Sequence, residues 1–379
     1  MKLHLLGLPH TITNLEFSHC AFTGKILRFP SMMKGLGYEI IHYGVEGAET
    51  EANEQVQVMT KVEQAFYLGH AGDDKTKFYA DDANTEKPIF LEFNKRLREL
   101  LANRVTQADL VLLPFGHGHH GAVGDMPYKL VESGIGYPTL YNQAPLKIFE
   151  SNAWMHFHQG RENRWGKNYE WVIPNYFNPG DWKLQLKPDQ KLVVFLGRIC
   201  KEKGLATIVE VAKARPDLKF VICGQGDPEP YLTQDNILYL APMTGKIRSM
   251  LLGTASAVLM PTEFTEPFGG VSVEAQLCGT PVLSTTYGGF TETIEDEVTG
   301  FRCHTLGDYL AALNRVQHLD RQYICDRARR LWGYDRVSKM YDRAFQMIDD
   351  LRGEGWYSRR SVFSCTEYSG PKLLKGATA

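Results

Sequence analysis

The sequence lacks the features of a membrane-embedded or disulfide-bonded protein. No stretch of its 379 residues approaches the ~20 consecutive apolar residues of a membrane span. The apolar run near the N-terminus, MKLHLLGLPH, is too short for a signal peptide. The seven cysteines form no close pairs, and an odd number argues against a disulfide framework. We therefore expect a cytoplasmic protein.

An excess of charge of either sign is also missing, since 42 basic residues stand against 44 acidic ones. This balance gives no electrostatic argument for a nucleic-acid or anionic-membrane partner. The G-x-G-x-x-G dinucleotide fingerprint is absent as well. The strand-like run from Phe220 closes on Gly224 and Gly226, without the third glycine and the helix that follows it. NAD is therefore disfavoured.

The chain is long enough for two domains. A chain of 379 residues is longer than those that usually form a single hydrophobic core, so two domains of roughly 150 to 200 residues are expected. A hydrophobic content of 43% supports two packed cores. The segment from Pro174 to Asp189 contains Asn, Pro and Gly without periodicity, which is typical of a linker. We place the domain boundary at residue 178.

The first half opens with a β-α-β pattern. A strand over Lys2 to Leu6 is followed by a loop that begins at Gly7, a helix, and a second strand over Tyr38 to Tyr43. Such a unit implies a parallel sheet with ligand access at the carboxyl ends of its strands. Gly7 lies at such an end. Residues 44–88 show little periodicity, and we expect irregular structure there or an excursion over the acceptor side of the domain.

Three histidines follow the predicted strand Ala108 to Pro114. His117, His119 and His120 invite a zinc interpretation, but no cysteine or carboxylate at ligand spacing lies nearby. A loop that faces a ligand is favoured over a metal site. We also predict a strand over Tyr137 to Tyr141 and a helix over 145–158.

The stretch from Pro261 to Gly289 carries the strongest chemical signal. The runs Ala257 to Met260 and Pro281 to Ser284 predict buried strands, and the span between them suits one short helix that starts at Gly269 and Gly270. Free N–H groups and the positive dipole end suit an anion there. Two carboxylates, Glu266 and Glu274, could both point toward one ligand, although either alone is more simply a solvated charge.

Two cations flank the end of another predicted strand, Leu192 to Leu196. Arg198 follows this strand directly, and Lys203 stands at the start of the next helix. Together they could neutralise a diphosphate, Arg by paired hydrogen bonds and Lys as a point charge. Surface cations near a helix start are common, so this pair alone would be a weak signal.

Residues 172–348 carry a series of spaced elements that resembles the retaining glycosyltransferases of family 4, or glycosyl transferases group 1. The elements lie mostly at the ends of strands and the starts of helices, in the family's order. They are Gly197-Arg198 with Lys203-Gly204, Cys223-Gly224-Gln225-Gly226, Glu266-Pro267-Phe268-Gly269 with Glu274-Ala275, Gly279-Thr280-Pro281-Val282, Gly288-Gly289 with Glu292, and Thr299-Gly300-Phe301. Any one of them is weak, but the run in register is strong.

The resemblance implies an α/β protein of GT-B architecture, with two Rossmann-like domains facing across a cleft. These are residues 1–178 and 179–345, with the tail 346–379 packing back on the first domain. The implied reaction moves a hexose from a nucleoside diphosphate sugar, with UDP-glucose favoured, to a hydroxyl acceptor with retention of configuration. No metal and no cofactor is implied.

The resemblance also implies roles for the candidate residues. Arg198 and Lys203 would hold the diphosphate, and Glu274 would bind the ribose hydroxyls. Glu266 would hold the donor sugar together with the backbone of three residues, Phe268, Gly269 and Gly270. The family often carries a histidine at the end of a strand in the first domain. The region that we match to it has none, so we predict that His119, His117 or Asn142 supplies this contact.

Two other functional classes remain open. A glycoside hydrolase could use Glu266 and Glu274 as acid and nucleophile at separations of ~5 to ~9 Å, although it would not need the two cations. A non-catalytic carbohydrate-binding or nucleotide-binding protein is the second. For a transferase, the acceptor could be a glycan, a lipid, a protein, a metabolite or a modified nucleic acid.

Overall fold

The computed structural model describes residues 1–70, 76–77, 79–144, 146–167 and 169–351, which contain two parallel sheets. The first sheet consists of β1 (Lys2–Leu6), β2 (Glu39–Val45), β3 (Glu54–Met59), β4 (Leu110–Leu112), β5 (Lys129–Ile135), β6 (Leu146–Phe149) and β7 (Glu170–Val172). Their order across the sheet is β3-β2-β1-β4-β5-β6-β7. All these pairings are parallel, so the carboxyl ends of the seven strands meet at one edge.

The second sheet lies entirely after the predicted linker. It consists of β8 (Asp189–Leu196), β9 (Lys219–Cys223), β10 (Ile237–Leu240), β11 (Ala255–Met260), β12 (Val282–Thr285) and β13 (Gly300–Cys303). The order β10-β9-β8-β11-β12-β13 reverses between β8 and β11, and ligands of open α/β sheets bind outside the carboxyl ends at such a reversal. The predicted α/β class with two Rossmann-like domains is confirmed.

Helices cover both faces of each sheet. They are α1 (Ala21–Met33), α2 (Lys61–Leu68), α3 (Pro88–Ala102), α4 (His120–Val123), α5 (Asn152–Arg161), α6 (Leu205–Ala214), α7 (Gly245–Thr254), α8 (Gly270–Leu277), α9 (Phe290–Thr293), α10 (Leu306–Leu313), α11 (Arg321–Trp332) and α12 (Tyr334–Leu351). Within the described ranges, no helix is both long and apolar enough to cross a membrane.

The strand β11 is apolar except at Ser256, whose hydroxyl donates to the Leu192 carbonyl oxygen at 2.7 Å. All six of its residues are buried. Ala257 and Leu259 pack into the core beneath α6 and α10, whereas Val258 and Met260 pack into the core beneath α7 and α8. Because successive side chains of a strand point to opposite faces, a strand covered on both sides is mostly apolar along its whole length.

The last helix of the described chain returns to the first domain. Val337, Tyr341 and Phe345 in α12 join the core that contains α1, and Tyr38 donates a hydrogen bond from its hydroxyl to Asp342 Oδ1 at 2.6 Å. The predicted tail segment, 346–379, is described only as far as residue 351. Its remainder, residues 352–379, lies outside the described residues.

The prediction of irregular structure over residues 44–88 is wrong for 54–59 and 61–68, whereas residues 71–75 and 78 lie outside the described residues. Residues 54–59 form the edge strand β3, and residues 61–68 form α2. The strand was missed because three of its six residues, Glu54, Gln55 and Gln57, are exposed and polar, so the apolar run is short. The helix has only eight residues, which is too short for a clear periodic pattern, and its apolar residues Val62 and Phe66 are largely exposed in the structure.

The predicted strand over Tyr137 to Tyr141 is also wrong. The strand in this region is β5, and the helix predicted over 145–158 divides into β6 and α5. The β5 sequence KLVESGI hides its strand character because Glu132 is buried and paired with Lys147 at 3.1 Å. A buried ion pair within a sheet interrupts the apolar run by which a buried strand is recognised.

Candidate functional site

The start of α8 lies at the carboxyl edge of the second sheet, after the loop that follows β11. Gly269, the residue before the helix, has φ of +78°, and a Cβ atom there would come within 2.6 Å of the Phe290 ring. Glycine is therefore required at this turn. The first N–H groups of a helix have no partner within it, and they lie at the positive end of its dipole. The turn suits a phosphate group.

Lys203 and Glu266 form an ion pair at the same edge. Lys203 Nζ donates to Glu266 Oε2 at 2.6 Å, and each side chain is only 14% exposed. Lys203 reaches this pair from the turn after β8. In that turn Gly204 has φ of +72°, and a Cβ atom there would lie 1.9 Å from the Pro261 carbonyl oxygen. The two loops therefore pack backbone to backbone, which sets the distance between the cation and the carboxylate.

Glu274 is paired with Arg248, a residue that the sequence did not single out. Arg248 lies in α7 and donates from Nε at 2.8 Å, and also from Nη2, to Glu274 Oε2. Both side chains are mostly buried. A charge that is largely removed from water requires a partner of opposite charge. Had the burial of Glu274 been recognised, it would have signalled that a cation lies nearby.

Arg198 occupies the turn directly after β8, and its side chain is exposed. A Cβ atom at Gly224 would lie 1.7 Å from the Gly197 carbonyl oxygen, so the loop after β9 rests against this turn. Arg198 and Lys203 both leave the carboxyl end of β8, beside the reversal of strand order. The second domain thus brings Arg198, Lys203, Glu266 and the start of α8 to one edge of its sheet.

The candidates of the first domain lie in different environments. Gly7 is buried after β1, where its N–H donates to the Tyr43 carbonyl oxygen at 2.7 Å and a Cβ atom would come within 2.5 Å of that oxygen. His117 is exposed, and its ring stacks on His120 at 5.6 Å. His119 is only 1% exposed. No group of three metal-ligating side chains could hold an ion within the described part of the chain.

Asn142 does not lie at the end of a strand, although the strand predicted over Tyr137 to Tyr141 would have placed it there. The strand β5 ends at Ile135, and the loop after it folds back along the sheet, where the Tyr141 N–H donates to the Glu132 carboxylate at 3.0 Å. Asn142 therefore lies beside the middle of β5. A Cβ atom added at Gly136, the residue directly after β5, would lie 2.9 Å from the Glu150 carboxylate.

Other segments of the first domain contact the second domain directly. Hydrogen bonds across the two include His19 with Gln225 (3.2 Å), Gly226 N–H to the Thr76 carbonyl (2.9 Å), the Ser151 hydroxyl to the Pro267 carbonyl (2.5 Å), and the Asn152 and Ala153 N–H groups to Glu292 (3.0 and 2.8 Å). None of these bonds involves the predicted residues His117, His119 or Asn142. Ser151 could have been noticed from sequence, because Ser is a preferred helix N-cap.

The buried histidines predict acid sensitivity of the fold. Burial lowers the pKa of His119 to about 3 and that of His42 to about 4, against ~6.5 in an unfolded chain. The unfolded state therefore binds more protons as the pH falls below ~6.5, and each such histidine removes up to ~1.4 kcal/mol of stability per pH unit.

We expect the melting temperature to fall between pH 7 and pH 5, and His119→Gln to reduce this fall. The exposed His156→Gln serves as the control and should leave the fall unchanged, and an equal fall in the His119 variant would contradict the prediction.

The geometry of the second domain agrees with a comparison of its sequence with protein families. Residues 179–321 match the family model of the glycosyl transferases group 1. This stretch belongs to that family. The group 1 segment includes both cation–carboxylate pairs and the start of α8. An uncharacterized glycosyltransferase of Methanocaldococcus jannaschii is 26% identical over 215 residues, which are 48% of this chain and 55% of that protein. The chain spans about half the length of the curated relatives it matches.

Solved structures resemble both domains of this chain in fold. Sucrose-phosphate synthase from Thermosynechococcus elongatus has a TM-score of 0.70 at 14% identity, covering 92% of this chain and 99% of its own. HepE of Anabaena, in complex with UDP and glucose, has a TM-score of 0.63 at 14% identity, covering 91% of this chain and 99% of its own. The architecture is GT-B, so this prediction is confirmed.

Proposed function

We propose that the protein is a retaining glycosyltransferase that moves a hexose from a nucleoside diphosphate sugar, UDP-glucose by preference, to a hydroxyl acceptor. The observation that carries this proposal is the pair Lys203–Glu266 beside the start of α8, within a group 1 segment. The cation and the free helix N–H groups suit the two phosphates of a sugar diphosphate. The carboxylate suits the hydroxyls of its sugar. UDP and glucose are bound by HepE, a protein of the same fold, and this supports the choice of donor.

In the proposed complex, the diphosphate lies between the start of α8 and the cations Arg198 and Lys203. An ammonium has three N–H donors, and the bond to Glu266 occupies one of them, so Lys203 can hold a phosphate oxygen while it orients the carboxylate. Glu266 would then accept hydrogen bonds from the sugar hydroxyls. Glu274, oriented by Arg248, would accept hydrogen bonds from the ribose.

The proposed chemistry is a front-face displacement. The bond from the anomeric carbon to the diphosphate oxygen breaks, and the acceptor oxygen forms its bond on the same face of the sugar. The departing diphosphate oxygen takes the acceptor proton, so no side-chain nucleophile is required. Preorganised cations lower the barrier by stabilising the charge that develops on the leaving group. This proposal includes no metal cofactor, because the two cations serve that purpose.

The hydrolase alternative fits the geometry less well. Glu266 and Glu274 each accept hydrogen bonds from a cation, so neither is arranged as a proton donor toward a glycosidic oxygen. The acceptor of the proposed transfer is a glycan, a lipid, a protein, a metabolite or a modified nucleic acid. We place the reaction in the cytoplasm, since the cysteines of the described ranges are all free thiols.

Nucleotide binding provides the direct test of this proposal. UDP at a concentration 100 times its Kd should stabilise the native state by about 2.7 kcal/mol, because a ligand that binds only the folded protein shifts the equilibrium. Differential scanning calorimetry with UDP, GDP and ADP measures this effect. Release of the nucleoside diphosphate from UDP-glucose and other nucleotide sugars then identifies the donor.

A matched pair of variants in α7 assigns the binding to the site. Arg248→Met removes the partner of Glu274 and should weaken UDP binding at least tenfold, whereas Lys246→Met, an exposed cation of the same helix, should not. If no nucleoside diphosphate raises the melting temperature, the proposed function fails. Glycoside cleavage without any nucleotide would instead support the hydrolase, and nucleotide binding without transfer or hydrolysis would support a binding protein.

A further inference from the structure

We propose that Glu292 is a positioning residue that latches the second domain onto the start of α5 and so holds the loop that carries Glu266. The catalytic part of this inference rests on the proposed function. The contact of Glu292 with Asn152 and Ala153, which we call the latch, does not rest on the proposed function, because it is a contact between two domains. Sequence reasoning found Glu292 only as one element of the family resemblance, without a role.

One carboxylate makes three hydrogen bonds across the domains. Glu292 Oε2 accepts from the Asn152 backbone N–H at 3.0 Å and from Asn152 Nδ2 at 2.9 Å, and Oε1 accepts from the Ala153 N–H at 2.8 Å. Asn152 and Ala153 are the first two residues of α5. Their N–H groups have no partner inside the helix, and they lie at its positive dipole end. A carboxylate is the preferred partner for such a site, and its hydrogen bonds are strengthened by the charge.

The same end of α5 also contacts the loop before α8. The Ser151 hydroxyl donates to the Pro267 carbonyl oxygen at 2.5 Å and accepts from the Trp154 N–H at 3.0 Å. Ser151 thus caps its own helix while it binds the second domain. Pro267 is the residue directly after Glu266. The start of α5 therefore holds this loop at one point directly and at a second point through Glu292.

A rigid path leads from Glu292 back to Glu266. The Gly289 N–H donates to the Glu266 carbonyl oxygen at 2.7 Å. A Cβ atom at Gly288 would lie 2.7 Å from the Glu266 nitrogen, so the two backbones are in direct contact. Residues 290–293 form the single turn α9, and Phe290 at its start is fully buried. A shift of Glu292 is therefore transmitted to the loop that carries Glu266.

The helix that receives the latch is itself anchored in the first domain. Glu150, two residues before α5, accepts a hydrogen bond from Lys25 in α1, and Lys25 Nζ also donates to the Gly134 carbonyl oxygen at 2.7 Å. Both ionic side chains are almost completely buried. Trp154 in the first turn of α5 is 6% exposed. The start of α5 is thus a fixed point of the first domain.

The latch is placed so that it can open. Asn152 is exposed and Glu292 is partly exposed, so water can replace their mutual hydrogen bonds. Exposed charge-assisted contacts contribute little net stability each. The contact therefore selects one relative position of the domains without locking them permanently. Its loss should change the distribution of domain positions while each domain stays folded.

The test compares Glu292→Ala and Glu292→Gln with Glu295→Gln. Glu295 lies three residues further along and pairs with Arg327 inside the second domain at 2.8 Å, so its variant is a matched control. Distances between spin labels on the two domains, measured without nucleotide, should broaden toward longer values in Glu292→Ala and less so in Glu292→Gln. The control should keep the distribution of the unmodified protein. Circular dichroism confirms that each variant is folded.

Kinetics then test the positioning role. Glu292→Ala should lower kcat for transfer at least tenfold while the Kd for UDP changes less than threefold, because Arg248, Glu274 and α8 all lie in the second domain. An unchanged distance distribution in both Glu292 variants overturns the latch. A broadened distribution with unchanged kcat overturns the positioning role alone. Failure of the unmodified protein to bind nucleotides would defeat the proposed function but leave the distance measurement as a test of the latch.

Discussion

Replacing Lys203 by Met should lower the turnover of donor-dependent transfer by about two to three orders of magnitude, since this is the usual cost of removing one preorganised charge-stabilising group. The ammonium is held at 2.6 Å from Glu266 and is mostly buried, so no neighbouring water can take its place at equal strength. The measurement is the rate at which the nucleoside diphosphate is released from the donor, with donor and acceptor at saturating concentrations.

The control for this variant is Lys201→Met, an exposed lysine in the same short turn. It should retain nearly full turnover. The double variant Lys203→Met, Glu266→Gln separates two roles of the lysine. If Lys203 acts mainly by orienting Glu266, the double variant should be no slower than the slower single one, because the two residues then act as one unit. Full turnover in Lys203→Met would contradict the proposed role and leave the ion pair as a structural contact.

Replacing Gly204 by Ala should be among the most destabilising single changes in the second domain. The added Cβ would lie 1.9 Å from the Pro261 carbonyl oxygen, and the residue would keep φ of +72°. No rotation of a side chain relieves an overlap between a Cβ and a backbone oxygen, so the loops after β8 and β11 must separate. We expect a loss of about 3 kcal/mol or more, which corresponds to a fall of about 6 to 12 °C in the melting temperature of a domain of this size.

The matched control is Gly35→Ala. Gly35 also has a left-handed backbone, with φ of +87°, but a Cβ atom added there would have no other atom within 4 Å. This variant should lose only the conformational penalty of about 1 to 2 kcal/mol. Calorimetry of both variants therefore separates the contact from the dihedral strain. Equal losses in the two variants would show that the loops after β8 and β11 do not depend on their close approach.

Several features of the second domain could be predicted because their causes are local. A strand buried on both faces is mostly apolar, as β11 is at every position except Ser256 and as β12 is in its first two residues. A turn with positive φ and no room for a Cβ atom needs glycine, as at Gly204 and Gly269. Arg198, Lys203 and Glu266 stand next to such elements in the chain. Their approximate position at the edge of the sheet followed from these neighbours.

The first domain was predicted less well, because its signals are interrupted by buried polar groups. Glu132 and Lys147 break the apolar runs of β5 and β6, and each is tolerated because it pairs with the other and makes a further hydrogen bond to the Tyr141 backbone. Because a strand was predicted over 137–141, Asn142 was expected directly after the end of a strand. The strand of this region, β5, ends at Ile135. Of the two candidates His117 and His119, the first is exposed and the second is buried. The spacing of three histidines does not reveal this difference.

The contacts that complete the site join residues far apart in the chain. Arg248 and Glu274 are separated by 26 positions, and Asn152 and Glu292 by 140. Neither member of such a pair changes the local pattern of its own segment, because a single charged residue on a helix or in a turn is ordinary in any sequence. Local propensity and apolar spacing therefore sufficed for the strands, the glycine turns and the class of fold. The partners of the carboxylates, and the helix end that meets Glu292, were decided by the packing of α7 on α8 and of one domain on the other.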